Sequence, residues 1–348
     1  MTLSGARIAV AGAGVYGSTV AIRLAERGHD VRLFDPLGVL RAASAINQYR
    51  VHSGYHYPRS AETIGEILSA RQEFVETFAP AIVGTSRNYY AIPHVGSLTP
   101  ADVYERVMAE HGLPLKDVRP SWIDFNFIDR CYEVDEDIYD PDVLREVIRA
   151  RLHNNGVTVE QRPYVESMRD EFDYLVCATY GLGPSRAQFN IAKFQVAEKI
   201  LIQLPRELHG VALVIVDGPF TAFDPYGGSA RSLFGSAKNT NHWTTTDPDE
   251  PVPAQYRNLL NGSDFRPCSF TNFEAMRLDC AQAVPAAAEA VYLGSRFTMR
   301  VVEDSPADDR RVLYVTERGP GELHIFSGKV VSAVKAARLV CEHIEAHG

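Results

Sequence analysis

Cysteine is sparse and scattered: five residues (Cys131, Cys177, Cys268, Cys280, Cys341) in 348, with no CxxC pair. An odd number excludes a complete set of internal disulfides, and no zinc-type spacing appears, so no metal site is expected. No apolar run approaches a bilayer span, and no basic leader segment precedes the first strand, so the expectation is a cytoplasmic protein without a membrane partner. A basic block is also missing. With 35 Lys and Arg against 44 Asp and Glu, the net charge is −9, which disfavours nucleic acid as a partner. There is no serine-hydrolase elbow, Walker A loop or HExxH helix, so hydrolysis and phosphoryl transfer lack their usual machinery. What remains is an ordinary globular composition, 45% hydrophobic and 23% charged. The length suits roughly two domains of ~150 residues.

The opening segment is the best defined. A short apolar strand over residues 8–11 runs into Gly12-Ala13-Gly14-Val15-Tyr16-Gly17, then a helical pattern to Arg27, a stop at Gly28, and a second strand that ends at Asp35. A GxGxxG alone is weak, but here it follows a strand, opens a helix and is answered by an acid at the end of the next strand. Gly12 permits the tight turn, Gly14 lets the backbone approach a pyrophosphate, and Gly17 permits close helix–strand contact. The helix start at Val15 and Tyr16 offers free N–H groups to an anion. Asp35 suits a ribose 2′-hydroxyl and would repel a 2′-phosphate.

Further along, residues 36–58 have no clear period, and a loop of that length is usually functional. Helices are expected over 61–78, over 100–111 with Thr99 as cap, and over 141–153 with Asp140 as cap. Strands over 193–236 suggest an antiparallel sheet, and 244–253 is an acidic, proline-bearing surface loop and a candidate lid. A helical stretch over 272–290 should divide at Pro285. Strands over 297–302, 312–316 and 323–326 precede a last helix over 329–346. The expected fold is α/β: a Rossmann-like domain built from discontinuous segments (1–80, 140–185 and 305–348), with an inserted, mainly antiparallel β-sheet substrate domain (81–139 and 186–304). A nicotinamide-binding Rossmann domain would continue at once with βα units. The interruption favours FAD, whose length calls for contacts from remote segments.

Three further segments carry a resemblance: AASAINQ at 42–48, DYLVCATYG at 173–181 and FSGK at 326–329. With the N-terminal fingerprint, they resemble the D-amino-acid oxidase and glycine oxidase superfamily of FAD-dependent oxidoreductases. The resemblance implies FAD contacts from Ser44, Asn47, Gln48 and Arg50, from Val165, Thr179 and Gly181, and from Ser327, Gly328 and Lys329. It also implies hydride transfer to flavin N5 from a C–H next to an amine or hydroxyl of a small polar substrate, an amine or amino acid first, with dioxygen or another electron acceptor. Two departures stand out: Gly328-Lys329 where many members carry Gly-His or Gly-Gly, and an unfamiliar 47–59 segment. An NAD(P)H-dependent flavin monooxygenase and a non-catalytic FAD-binding protein remain as rival readings.

The 47–59 segment packs Arg50, His52, Tyr55, His56, Tyr57 and Arg59 within ten residues. Such groups can polarise a flavin, orient an anion or accept a proton. The bland alternative is a solvated loop whose aromatics pack on the domain. His52, Tyr55 and Lys329 are the catalytic candidates, with His56, Tyr57, Arg59, Tyr226, Lys238 and Arg300 for substrate. Arg300 or its neighbour Arg296 could hold a carboxylate through two parallel hydrogen bonds. Packed turn tyrosines and solvated edge arginines are the plain readings of the last group. A helix starting near Gly328 would favour a reduced, anionic flavin through its dipole.

Overall fold

The structure is a computed structural model that describes residues 5–84, 86–182, 192–305 and 307–347. The chain opens with β1 (Arg7–Ala11), α1 (Val15–Glu26) and β2 (Asp30–Phe34). The irregular stretch holds β3 (Arg50–Val51) and leads to α2 (Ala61–Thr77), β4 (Ile82–Val83), β5 (Arg87–Pro93), α3 (Ala101–Glu110) and β6 (Lys116–Asp117). Next come β7 (Ile128–Val134), β8 (Asp137–Tyr139), α4 (Pro141–Asn154), β9 (Thr158–Glu160) and β10 (Tyr174–Cys177). A run of strands follows: β11 (Ala192–Gln203), β12 (Val211–Ile215), β13 (Thr221–Pro225), β14 (Ser232–Ser236) and β15 (Asn241–Thr245). The chain ends with α5 (Ala254–Arg257), α6 (Phe273–Ala283), β16 (Val291–Glu303), β17 (Tyr314–Gly319), β18 (Glu322–Phe326) and α7 (Ala333–His347).

Two large sheets organise these elements. A six-stranded sheet runs β17-β18-β10-β1-β2-β9, parallel except for β17. Its strands come from the two ends of the chain and from its middle, so the sheet is assembled from discontinuous pieces. Parallel strands are buried on both faces, which is why β1 and β10 read as unbroken apolar runs rather than alternating ones. A nine-stranded sheet runs β15-β11-β14-β13-β12-β5-β7-β6, with β16 paired along the length of β11. It is antiparallel apart from the β5–β12 pair. A small third sheet, β3-β8-β4, joins the irregular stretch to the end of the β7–β8 hairpin. Together these give the expected α/β fold with a Rossmann-like sheet. The 185/186 boundary lies outside the described residues.

Local chemistry explains most element ends. Asp140 caps α4 by accepting from the N–H groups of Asp142 and Val143, with Pro141 at the first helical position. The expected Thr99 cap is absent. α3 begins after Pro100, and Thr99 Oγ1 instead donates to Asp217 Oδ2 at 3.0 Å. The last helix also starts late: Val330–Ser332 form a 3₁₀ turn and α7 begins at Ala333. Among the described residues, no helix is long and apolar enough to cross a membrane.

The glycine turn is packed to its limit. Gly12 has φ +98, and a Cβ there would lie 2.6 Å from the Ala178 carbonyl oxygen. A Cβ on Gly17 would lie 1.8 Å from the Gly12 carbonyl oxygen, with backbone on both sides of the clash. Gly17→Ala should therefore lower stability by about 3 kcal/mol or more, at the upper end of overpacking penalties. Thermal unfolding of the FAD-free protein tests this, and an unchanged transition would contradict it.

Candidate active site

The irregular stretch folds back over the glycine turn. Leu40 N–H donates to the Ala13 carbonyl at 2.9 Å, and Ser44 Oγ accepts from Val15 N–H at 2.9 Å. The N-cap of α1 is Gly14, which has no side chain to satisfy the helix amides itself. Asp35 accepts from Ala13 N–H at 2.8 Å through Oδ2, and from Leu37 and Gly38 N–H through Oδ1. A carboxylate offers about four acceptor sites, so Asp35 keeps capacity for one more donor.

A cavity of about 1050 Å³ extends from this turn to the face of the nine-stranded sheet. It exceeds the ~300–1,000 Å³ typical of small-ligand sites. Gly12, Gly14, Val15, Tyr16, Asp35, Ser44, Asn47, Gln48, Arg50, Thr179, Ser327, Gly328 and Lys329 all line it, as do His52, His56, Tyr57, Arg59, Lys238 and Arg300. Five expected site residues lie off its wall. Gly17 is used in the helix–turn packing described above. Val165 is exposed while its neighbours Pro163 and Tyr164 take the wall position. Gly181 is buried behind Thr179 and Tyr180. Tyr55 turns its hydroxyl away to the Pro114 carbonyl at 3.0 Å, which removes it from the catalytic candidates. Tyr226 packs edge-on against Tyr49 and Phe265 and bonds Asp142 at 3.3 Å.

Other expected residues reach the cavity already engaged. The Asn47 amide donates to the Ala43 and Ser44 carbonyls and accepts from Tyr49 N–H and the Tyr139 hydroxyl. That fixes the turn and holds Tyr49 at φ +57. Arg59 pairs with Asp217. Arg50 is fully buried between two carboxylates: Nη1 lies 2.6 Å from Glu136 Oε2, and Nε lies 2.5 Å from Asp224 Oδ1. Burial disfavours the Arg50 charge, but these partners more than offset it and raise its pKa. Glu136 also accepts from Tyr90 and from Ser53 N–H. Burial pushes its pKa up, yet His52, Arg50 and Ser53 hold it well below the usual carboxylate range.

Beside this cluster the rings of His52 and His56 lie 5.4 Å apart, and the Lys329 ammonium sits 4.0 Å over the Tyr57 ring. Burial, followed by the Lys329 charge, lowers His52 to about 4. Burial and its neighbours push His56 well below its ordinary value. Both imidazoles are thus neutral at pH 7 and able to accept a proton. Burial lowers Lys329 to about 7. Among the described residues Lys329 and Arg300 have no salt bridge, so Arg300, and Lys329 when it holds its proton, face the cavity without a carboxylate beside them.

Sequence reading missed Glu136, Asp224, Asp217, Gln195 and Lys199. Glu136 sits in the acidic run VDEDIYD, where nothing distinguishes it from surface charge. Lys199 did leave a signal: Lys193, Gln195, Ala197 and Lys199 alternate along β11, and all four line the cavity.

The site fits a flavin dinucleotide. The bare glycine turn and the helix start above it suit a diphosphate, Asp35 suits a ribose hydroxyl, and a protonated Lys329 suits a reduced, anionic flavin. Arg50→Met should cost about 3–5 kcal/mol, because it strands Glu136 and Asp224 without their buried partner. Chemical denaturation measures this, and a loss below 1 kcal/mol would contradict it. For Lys329 the lowered native pKa means the unfolded chain holds the extra proton above pH 7, so stability rises with pH through that window. The share from Lys329 approaches about 1.4 kcal/mol per pH unit between pH 7 and 9. The wild-type minus Lys329→Met stability difference, measured on FAD-free protein, should climb accordingly. A flat difference would show that the amine keeps its proton.

Comparison with known proteins bears on the fold and the cofactor. Residues 7–187 match the DAO family, described as FAD dependent oxidoreductase. The chain is 27% identical over 233 residues to an FAD-dependent monooxygenase of Fusarium mangiferae, covering 63% of this chain and 60% of that protein. It is 26% identical over 166 residues to an FAD-dependent monooxygenase of Aspergillus flavus, covering 46% and 39%. The matches therefore span less than two thirds of either relative. Among solved structures, glycine oxidase from Geobacillus kaustophilus superposes with a TM-score of 0.72 at 14% identity, covering 99% of this chain and 96% of that one. L-amino acid deaminase from Proteus vulgaris gives 0.68 at 14%, covering 99% and 94%. At such identities the likeness is one of fold. With the family match taking in more than half of the residues, the chain belongs to the DAO family of FAD-dependent oxidoreductases, and FAD is its cofactor.

Proposed function

We propose that this oxidoreductase acts on a small anionic substrate at a C–H bond next to an amine or a hydroxyl, with an amine or amino acid preferred. One observation carries the reading. Arg300 faces the cavity from β16 without a hydrogen bond or salt bridge among the described residues. Burial, followed by the nearby Arg311 charge, lowers its pKa. A guanidinium left unpaired there suits a carboxylate held through two parallel hydrogen bonds. Directly across the sheet stands Gln195, whose Oε1 has no hydrogen-bond partner among the described residues and can accept from a substrate N–H.

Bound FAD supplies the two-electron acceptor. The protein contributes orientation, exclusion of water and proton transfer. Neutral His52, with Glu136 Oε1 3.7 Å behind its Nδ1, can take up the substrate proton at Nε2. The resulting imidazolium would then face a carboxylate. His56 and Tyr57 wall the same space, and Lys329 adds positive charge beside them. We assign the two large sheets to two domains, residues 1–80, 140–185 and 305–348 holding FAD and residues 81–139 and 186–304 holding substrate.

A second reading has its own support, since both curated relatives above are named FAD-dependent monooxygenases. Anaerobic mixing separates the two. Bleaching of the flavin by an amine or amino acid supports the proposal, whereas bleaching only by NADPH supports the monooxygenase. With an active substrate, Arg300→Met should lower kcat/KM by about a hundredfold, the loss of a charged hydrogen-bonded pair. An unchanged KM and kcat in that variant would remove Arg300 from the reading.

A further inference from the structure

Arg300 is not the one cation that this cavity leaves without a salt bridge on the nine-stranded sheet. Lys199 lies on β11, four residues beyond the Gln195 that pairs with Arg300, and side chains of that spacing share one face. Its ammonium has no hydrogen bond or salt bridge among the described residues. Space is kept for it by Gly235 on the neighbouring strand β14: a Cβ there would lie 2.7 Å from Lys199 Nζ. The same Cβ would lie 3.6 Å from Gln48 Nε2, a second donor with no hydrogen bond among the described residues. Lys199 and Gln48, both on the cavity wall, thus flank one small residue and present donors to the same space.

We propose that Lys199 and Gln48 form a second anion subsite beside Gly235, so that the substrate is a diacid: one carboxylate on Arg300, and a second acidic group on Lys199. This rests on the reading of Arg300 above and extends it from an anionic substrate to a dianionic one. Along β11, about 13–14 Å of strand separates Lys199 from Gln195, the residue paired with Arg300. Long, flexible side chains shorten that span, so the acidic groups belong several bonds apart rather than on adjacent carbons.

The rival account is that Lys199 serves only to balance Asp224, which attracts it from beyond salt-bridge distance. The two accounts differ in what a non-oxidisable acid does. Titration of the FAD-loaded protein with butyrate and with glutarate or adipate, followed by the visible flavin difference spectrum, gives affinities independent of turnover. The dicarboxylates should bind roughly ten- to a hundredfold more tightly than butyrate. Lys199→Met should abolish that preference while leaving butyrate affinity within about twofold, and Lys199→Arg should restore it. Gly235→Ala, which displaces only the end of a flexible side chain, should weaken the preference in a chain that still folds. Arg300→Met should weaken both acids. Equal affinity of wild type for mono- and dicarboxylates overturns the second subsite while leaving Arg300 standing. Equal weakening of both acids by Lys199→Met assigns the lysine to Asp224 instead. If neither acid perturbs the flavin and Arg300→Met changes nothing, the anionic-substrate reading falls, and this inference with it.

Discussion

The buried guanidinium of Arg50 is the constraint around which the site is built. Moving a charge into the interior costs several kcal/mol, and here three charged groups share it. Glu136 comes from the β7–β8 connection and Asp224 from β13, while Arg50 opens the short strand β3. One side chain therefore fastens the irregular 36–58 stretch to the large sheet and to the hairpin end. Asn88 and Tyr90 on β5 complete the cluster, so all four partners of Arg50 come from elements that otherwise belong together. With Arg50 fixed, His52 and the residues after it have little choice of position.

That cluster also sets the electrostatics of the cavity. Its formal charges sum to minus one, because two carboxylates meet one guanidinium. Along the rest of the wall, Arg59, Lys193 and Arg311 each have an acidic partner. Among the described residues Lys329, Arg300, Lys199 and the exposed Lys238 have no salt bridge. At an effective dielectric constant of ~20, a charge 4 Å away is worth about 4 kcal/mol, so cations without a carboxylate partner make the space favourable to anions. Lys329 also depresses the pKa of both neighbouring imidazoles, His52 and His56. Anion binding and a neutral proton acceptor thus arise from one arrangement.

How much of this was legible depended on whether a residue's role was local. The glycine turn, the acid at Asp35 and the cap at Asp140 act through contacts within a few residues or along one βαβ unit, and they read directly. The parallel sheet was legible because apolar runs interrupted by long insertions fit few other folds. Tyr55 misled because sequence shows that a polar group is present but not which way it points, and the partners of Arg50, which does line the cavity, were hidden by their distance along the chain. Tyr55 sits between two cavity residues yet faces Pro114, and Arg50 reaches carboxylates 86 and 174 positions away. The start of the last helix was misplaced because a 3₁₀ turn and an α-helix share the same apolar spacing over one turn.

Glycine is read in sequence as a sign of unusual backbone, and in this cavity that is only half its use. Gly12 does need its positive φ, but Gly235 and Gly328 do not. Each instead clears space for a cationic side chain from another segment: a Cβ on Gly328 would meet Arg311 Cδ at 2.9 Å, just as one on Gly235 would meet Lys199 Nζ. A long charged side chain can cross a packed interface only where its neighbour gives up volume, because interiors are packed like crystals. The position of a glycine on a strand facing a cavity therefore carries information about where a distant lysine or arginine ends. Read that way, Gly235 and Gly328 mark two of the places where a long cationic side chain reaches the wall.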